Sequence, residues 1–339
     1  MRCRIVCGSN EVTKVRQTIT RLADAVIQGV PLSREDAQKL AALNSGVLPD
    51  LFASASRIRG HFRKNTVDIC SIINAKSGAC SEDCRYCAQS SHYHTDAPVY
   101  PLVDIARMEE AASTARRNGA RRFCIVTSGR GIDDDEDLRN IGRGIERVAA
   151  VGLSPCATLG ALTRDQLRYL RDAGLKRYHH NIETSREYFP EICSTHSFDE
   201  RLGLLREAQD LGLSVCSGGI LGMGESMADR VSMAFTLRDL AVDSVPLNLL
   251  MPIEGTPLGA VAPIPPLQAL HAIALFRFIL PSREIRICGG RGSALGQLHP
   301  MIFLAGADGF MIGNYLTRTG LAPEDDLKML RDLGLEPLS

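Results

Sequence analysis

Residues 67–90 read VDICSIINAKSGACSEDCRYCAQS. The first seven form a short, largely apolar run rich in β-branched side chains, the pattern of a buried strand. It leads into a Gly/Ser/Asp-rich loop carrying Cys80, Cys84 and Cys87, with Tyr86 just before the last thiol. Seven further runs of this kind follow: RRFCIVTS (121–128), LSPCATLG (153–160), KRYHHNIE (176–183), LSVCSGGI (213–220), DSVPLNLL (243–250), EIRICGG (284–290) and GFMIGN (309–314). Between most of them lie amphipathic helical patterns, at 104–118, 163–173, 199–211, 227–240, 266–280 and 324–333. Several begin at an acidic or hydroxyl residue and stop at Gly, as in LRDAGL, AQDLGL and LRDLGL. Strand-helix alternation predicts a parallel sheet. Eight units predict an α/β fold of the (β/α)8 TIM type, complete or partly splayed, with its active site at the C-terminal strand ends.

The first 65 residues read as helical. Ile19, Leu22, Ala23, Val26 and Ile27 recur at helix spacing, Ser33 can cap a second helix with Asp36 three positions on, and Leu48, Leu51, Phe52, Ala55 and Ile58 form a third stripe. The expected organisation is a helical extension, 1–65, packed on a barrel, 66–339. The acidic run DDDED at 133–137 reads as a solvated helix start, where negative charge suits the dipole.

Composition narrows the function. The chain has 339 residues, and its 39 Lys plus Arg balance 39 Asp plus Glu, so net charge gives no reason to expect a nucleic acid or membrane-surface partner. We find neither a signal-peptide pattern nor an apolar run of transmembrane length, so the expected location is the cytoplasm. Eleven cysteines in that compartment are not a disulfide framework, because thiol buffers keep them reduced. Metal or redox chemistry is the better reading.

Three readings compete for the three-cysteine loop. A structural zinc site wants four ligands, often as two Cys pairs, and no second pair follows. Reduced structural thiols belong in a core rather than a Gly/Ser/Asp loop. An iron-sulfur cluster held by three thiolates would keep one iron open to chelate a small molecule.

The Cys-x-x-x-Cys-x-x-Cys spacing with an aromatic before the last Cys is the signature of the radical S-adenosylmethionine (SAM) superfamily. SGACSEDCRYCAQSS, RFCIVTSGR, CATLG, HHNIETS, VCSGGILGMGE, SVPLNLL and IRICGGR, in that order, resemble the biotin synthase family from about residue 35 to the C-terminus. The resemblance implies a 4Fe-4S cluster on Cys80, Cys84 and Cys87 that binds SAM and passes it an electron, giving methionine and a 5'-deoxyadenosyl radical. It implies cofactor contacts at Tyr86, Thr127, Asn181, Glu183 and Ile220. Asn181 and Glu183 match positions that contact the SAM ribose, an amide and a carboxylate suiting two vicinal hydroxyls. GGILGMGE fits Gly218-x-Ile220-x-Gly222-x-x-Glu225, a pattern near the adenine, where glycines would permit close approach of backbone to ligand.

Cys124, Cys156 and Cys216 lie in mid-strand on separate strands. Each alone reads as a small core hydrophobe. If all three point inward they converge on the barrel axis, where an iron-sulfur cluster could replace apolar layers. The resemblance implies an auxiliary cluster there, 2Fe-2S in the best known members, with Arg286 as an unusual fourth ligand. Its implied role is to give sulfur to dethiobiotin as radicals break unactivated C-H bonds that no ordinary base could deprotonate.

Two cysteines depart from that pattern. Cys288 stands two residues after Arg286, and Cys193 follows the fourth strand; both near the inner site would hold a larger, four-iron auxiliary cluster. His179 occupies a position often held by a substrate-contacting asparagine, and Asn248 matches a second substrate amide. Cys70 reads as a core thiol, and Cys3 and Cys7 as inert residues of the terminus. His92, His94, His180 and His196 lack helical spacing or carboxylate support for a metal and read as loop or core residues. The partners implied are dethiobiotin, a flavodoxin or ferredoxin as electron donor, iron-sulfur assembly proteins and a second copy in a homodimer. Two alternatives stay open: another radical SAM barrel enzyme with an auxiliary cluster, such as a hydrogenase-cofactor maturase, and a non-catalytic iron-sulfur carrier or redox sensor.

Overall fold

The structure is a computed structural model and describes residues 6–338, with side chains from residue 11 onward. Cys3 lies outside the described residues, and at Cys7 only the backbone is described. Three helices come first: α1 (Val6–Ile27), α2 (Arg34–Ala41) and α3 (Leu48–Arg63). Strands and helices then alternate as β1 (Thr66–Lys76), α4 (Ile105–Arg117), β2 (Arg122–Thr127), α5 (Asp135–Ala150), β3 (Ser154–Thr158), α6 (Arg164–Asp172), β4 (Arg177–His179), α7 (Phe198–Asp210) and β5 (Ser214–Cys216). The chain continues through β6 (Gly219–Leu221), α8 (Met227–Asp239), β7 (Ser244–Leu249), α9 (Pro266–Ile279), β8 (Glu284–Ile287), α10 (Arg291–Leu295), β9 (Gly309–Met311), α11 (Pro323–Asp332) and β10 (Glu336–Pro337).

All pairings in the main sheet are parallel, and β1 pairs with both β2 and β9, so eight strand positions close into a barrel. The expected eight runs are all present. One of them, LSVCSGGI, is broken into β5 and β6, both paired to β7. The break lies beside Pro246, which has no N–H to give the ladder. A Cβ on Gly218 would stand 1.9 Å from the Pro246 carbonyl oxygen, and one on Gly219 would stand 2.2 Å from that of Glu183. Close strand contact alone thus requires glycine at both positions.

Local chemistry sets the helix ends. Ser33 accepts from the Asp36 N–H as expected, and Thr163, Ser197 and Ser226 form capping boxes with Gln166, Glu200 and Asp229. The acidic run at 133–137 opens α5, with Asp134 as N-cap. Gly174, Gly212 and Gly334, the predicted stops, hold φ of 104°, 77° and 66°, the left-handed conformation that ends a helix at little cost for glycine. Apolar residues of α1–α3, such as Ile19, Leu40 and Ile58, join one continuous core with Phe235 of α8 and Phe276 of α9. No described helix is long and apolar enough to cross a membrane.

Candidate active site

In a strand successive side chains alternate, so residues two apart share a face. Register then stacks the inward residues into layers. Cys70 pairs with Arg122, Cys124 with Cys156, His179 with Cys216, and Pro246 with Arg286. The layer below holds Asp68, Arg122, Arg177 and Glu284, in place of the branched apolar side chains usual in such barrels. Arg286 Nη2 donates to Asp68 Oδ2 and to Glu284 Oε2, each at 2.6 Å. Arg177 Nη1 donates to Glu284 Oε2 at 2.6 Å and its Nε to Ser214 Oγ at 3.0 Å. Arg122 Nη1 donates to Ser154 Oγ at 3.0 Å. With Arg286 reaching down from the layer above, three guanidiniums face two carboxylates, which leaves this buried group net positive.

Above the floor a cavity of about 390 Å³ opens toward the C-terminal strand ends. Its wall includes five thiols, Cys70, Cys124, Cys156, Cys216 and Cys288, together with Arg122 and Arg286. Cys288 faces the same side as Arg286, as alternation predicts, and packs against Cys70 and Met311. Cys70 is therefore a cavity thiol and not the plain core residue expected. Its neighbour Cys288 and the Arg286 guanidinium pull Cys70 down to about 7 against the cost of burial. Cys124 and the three arginines likewise hold Cys156 below the usual thiol range. Burial pushes Cys216 up to about 11. Nε of Arg122 and of Arg286 are buried without a hydrogen-bond partner. Thiols over a positive floor with orphaned donors fit an anionic iron-sulfur cluster.

The three-cysteine loop borders the cavity mouth. The Cys80 N–H donates to the Gln89 carbonyl at 3.0 Å and the Cys87 N–H to that of Cys84 at 2.9 Å, which folds the loop on itself. Cys80, Cys87 and Tyr86 line the cavity. Cys84 is buried, with Sγ 3.8 Å from Cys193 Sγ. Cys193 is thus absent from the barrel cavity: the loop after β4 carries it to the cluster loop, too far along the chain for the inner site that the sequence reading gave it. His196 is corrected too. Its Nδ1 contacts the Glu82 carboxylate and lies 3.3 Å from Cys193 Sγ, so it does have carboxylate support.

A hydrogen-bonded chain crosses the same wall. Thr158 Oγ1 lies 2.8 Å from His179 Nδ1, and His179 Nε2 lies 2.8 Å from Asn181 Oδ1. The Gly218 N–H also donates to that Oδ1, at 3.1 Å, which marks it as acceptor and His179 Nε2 as the protonated nitrogen. Asn181 Nδ2 reaches Glu183 Oε2 at 3.4 Å. Burial lowers His179 to about 4 and raises Glu183 above the usual carboxylate range, with Arg201 opposing at Glu183. Glu183 holds φ of 67°, a strained value for a side chain of its size. Thr127, Ile220 and Asn248 line the cavity as well. Thr127 Oγ1 is buried without a partner, open to a ligand's polar group. Asn248 Oδ1 accepts from the Gly289 N–H at 2.8 Å. Glu225 stands apart: it accepts from the Gly222 and Met223 N–H groups and from Arg230 Nε, so it builds a turn.

The charged floor escaped the sequence reading, yet its signal was present. Asp68, Arg122 and Glu284 each stand two positions before Cys70, Cys124 or Arg286, and Arg177 two before His179, which alternation turns to one face.

Comparison with known proteins extends the picture. The Radical SAM superfamily matches residues 75–237, and the Biotin and Thiamin Synthesis associated domain matches residues 246–336. The biotin synthase of Geotalea daltonii is 48% identical over 326 residues, covering 96% of this chain and 99% of that protein. That of Heliobacterium modesticaldum is 50% identical over 321 residues, covering 94% and 98%. The crystal structure of a methylornithine synthase superposes with a TM-score of 0.82 at 21% identity over 94% of this chain and 97% of that one. A maturase of the FeFe-hydrogenase gives 0.80 at 14% identity over 97% and 77%. At these identities the two structures speak for the barrel fold alone.

Proposed function

Because the chain belongs to the biotin synthase family of radical SAM enzymes, we propose that it converts dethiobiotin to biotin by radical sulfur insertion. The observation that carries this reading is one cavity with the cluster loop at its mouth and five thiols beside Arg122 and Arg286 at its base. When bound, the 4Fe-4S cluster with SAM supplies the carbon radical and the auxiliary cluster supplies sulfide.

In this reading Cys80, Cys84 and Cys87 hold the first cluster. Tyr86, Thr127, Asn181, Glu183 and Ile220 orient SAM, and the chain Thr158–His179–Asn181–Glu183 fixes the side chains of Asn181 and Glu183. His179 and Asn248 position dethiobiotin between the two ends of the cavity. His179 stays neutral at physiological pH and so presents hydrogen bonds without a charge beside the radical. Cys124, Cys156, Cys216 and Arg286 hold the auxiliary cluster. With Cys70 and Cys288 on the same wall, that cluster has thiols enough for four irons rather than two. The apolar remainder of the wall would confine the radical to its substrate and limit side reactions. The reading carries with it a flavodoxin or ferredoxin donor, iron-sulfur assembly proteins that rebuild the sacrificed cluster, and a cytoplasmic homodimer.

The test is anaerobic: reconstitution with iron and sulfide, then SAM, a strong reductant and dethiobiotin, with products counted by mass spectrometry. Biotin with about two 5'-deoxyadenosines for each, one per C–H bond broken, is the expected result. Deoxyadenosine without biotin would overturn the substrate.

A further inference from the structure

The loop at 191–197 covers the outer side of the cluster loop. Asp83 Oδ1 accepts from the Ser194 and Thr195 N–H groups at 2.9 and 3.2 Å, and Thr195 Oγ1 donates to Glu82 Oε2 at 2.6 Å. The Arg85 N–H donates to the Ile192 carbonyl at 3.0 Å. These bonds seat Cys193 against Cys84, sulfur to sulfur at 3.8 Å, and neither residue lies in a strand. Cys84, Cys193 and His196 together could suggest a metal site. Arg201 argues otherwise: its Nε donates to His196 Nε2 at 2.9 Å, which leaves Nδ1 as the protonated nitrogen, and Nδ1 is the atom facing Cys193. A ring held in that tautomer gives its Nδ1 proton to the Glu82 carboxylate beside Cys193 and offers a metal no lone pair.

We propose that Cys193 is the resolving thiol of Cys84: whenever the loop is without its cluster, the two form a disulfide that a reductant can reopen. The inference rests on Cys84 as a cluster ligand. A disulfide needs the sulfurs about 2.05 Å apart, so an approach of about 2 Å between two loop residues closes it. The barrel strands need not move.

The oxidant is a peroxide. Cys193 Sγ attacks one oxygen of hydrogen peroxide, the O–O bond breaks, and the thiol proton leaves with the departing oxygen as water, giving a sulfenic acid. Cys84 Sγ then attacks that sulfur, the S–O bond breaks, and its thiol proton leaves with the hydroxyl as a second water. Two thiols and one peroxide yield one disulfide and two waters; the sulfurs lose two electrons and the peroxide gains them. Cys193 itself is buried, and its neighbour Ser194 is exposed, so the sulfur lies one residue below the surface. A loop thiol without a resolving partner would go on to sulfinic acid, which thiol reductants do not reverse.

The test uses the full chain. Cluster-free protein is given one equivalent of hydrogen peroxide, alkylated, cut with trypsin and mapped by mass spectrometry. The expected product links the peptide 77–85 to the peptide 187–201, with Cys80 alkylated and Cys84 not, and it disappears under a dithiol reductant. In cluster-loaded chain the link is expected to be suppressed at least tenfold; equal linkage there would overturn the ligand role of Cys84 and the latch with it. Cys193→Ser and Cys193→Ala are expected to regain several-fold less cluster than wild type after a peroxide pulse, reduction and reconstitution. Equal recovery, or Cys84 paired mainly with Cys80 or Cys87 in the wild-type map, overturns the proposal. The wild-type map does not depend on how either variant folds.

Discussion

Arg286 Nη2 stands 2.6 Å from Asp68 Oδ2, joining β8 to β1 across the floor of the barrel. Both side chains are buried, Arg286 at 2% and Asp68 at 4% exposure, so the pair is shielded from solvent. Removing one partner of such a pair leaves a buried charge less compensated. Asp68→Asn is therefore expected to lower stability by about 3 kcal/mol in denaturant titration. It also adds one net positive charge beneath the cavity thiols. On the proposed function, the auxiliary-cluster reduction midpoint is then expected to rise while that of the SAM cluster stays put.

Cys288 and Cys193 are now separated, and iron counting tells them apart. A four-iron auxiliary cluster beside the first predicts about eight irons per reconstituted chain. Cys288→Ser is expected to lower that count, whereas Cys193→Ser is expected to leave it unchanged in protein never exposed to oxidant. Equal loss in both variants would contradict the geometry.

Thr127 Oγ1 is a buried hydroxyl without a protein partner. Thr127→Val removes an unsatisfied polar atom, so stability is expected to hold or to rise slightly. If the hydroxyl meets SAM, the same change loses one hydrogen bond of about 1 kcal/mol, and SAM binding measured by calorimetry is expected to weaken several-fold. A variant that loses stability without losing SAM affinity would place the hydroxyl in packing.

His179 makes stability depend on pH. Burial holds it at about 4 in the folded chain against an ordinary value near 6.5, so the unfolded chain binds the proton first as pH falls. The stability it allows is complete above about pH 6.5 and declines toward pH 4, by about 3 kcal/mol in all. Burial pushes the adjacent His180 in the same direction. Denaturant titrations of His179→Gln between those limits are expected to show a shallower decline than wild type.

Much of this protein was legible along the chain because its signals are local. Short apolar runs, the Ser33 cap with Asp36 three positions on, and glycine stops at 174, 212 and 334 each act within one turn or strand. They were enough for eight strands, the intervening helices and a cluster loop at the end of β1. The spacing of Cys80, Cys84 and Cys87 is local as well.

The inner site was less legible, since it depends on which inward residues share a level once the barrel closes. Cys124, Cys156 and Cys216 could be grouped because each sits inside one of the apolar runs of the sequence. Cys70 could not be distinguished from a core thiol until β1 paired with β2 and β9 and turned it toward Cys288. The sequence alone determined the barrel and the thiols of its cluster loop. The tertiary structure alone decided that Asp68, Arg122, Arg177 and Glu284 form one charged floor, and that Cys193 meets Cys84 rather than Cys288. Strand register and loop docking make those contacts between residues far apart in the chain, and no local pattern encodes them.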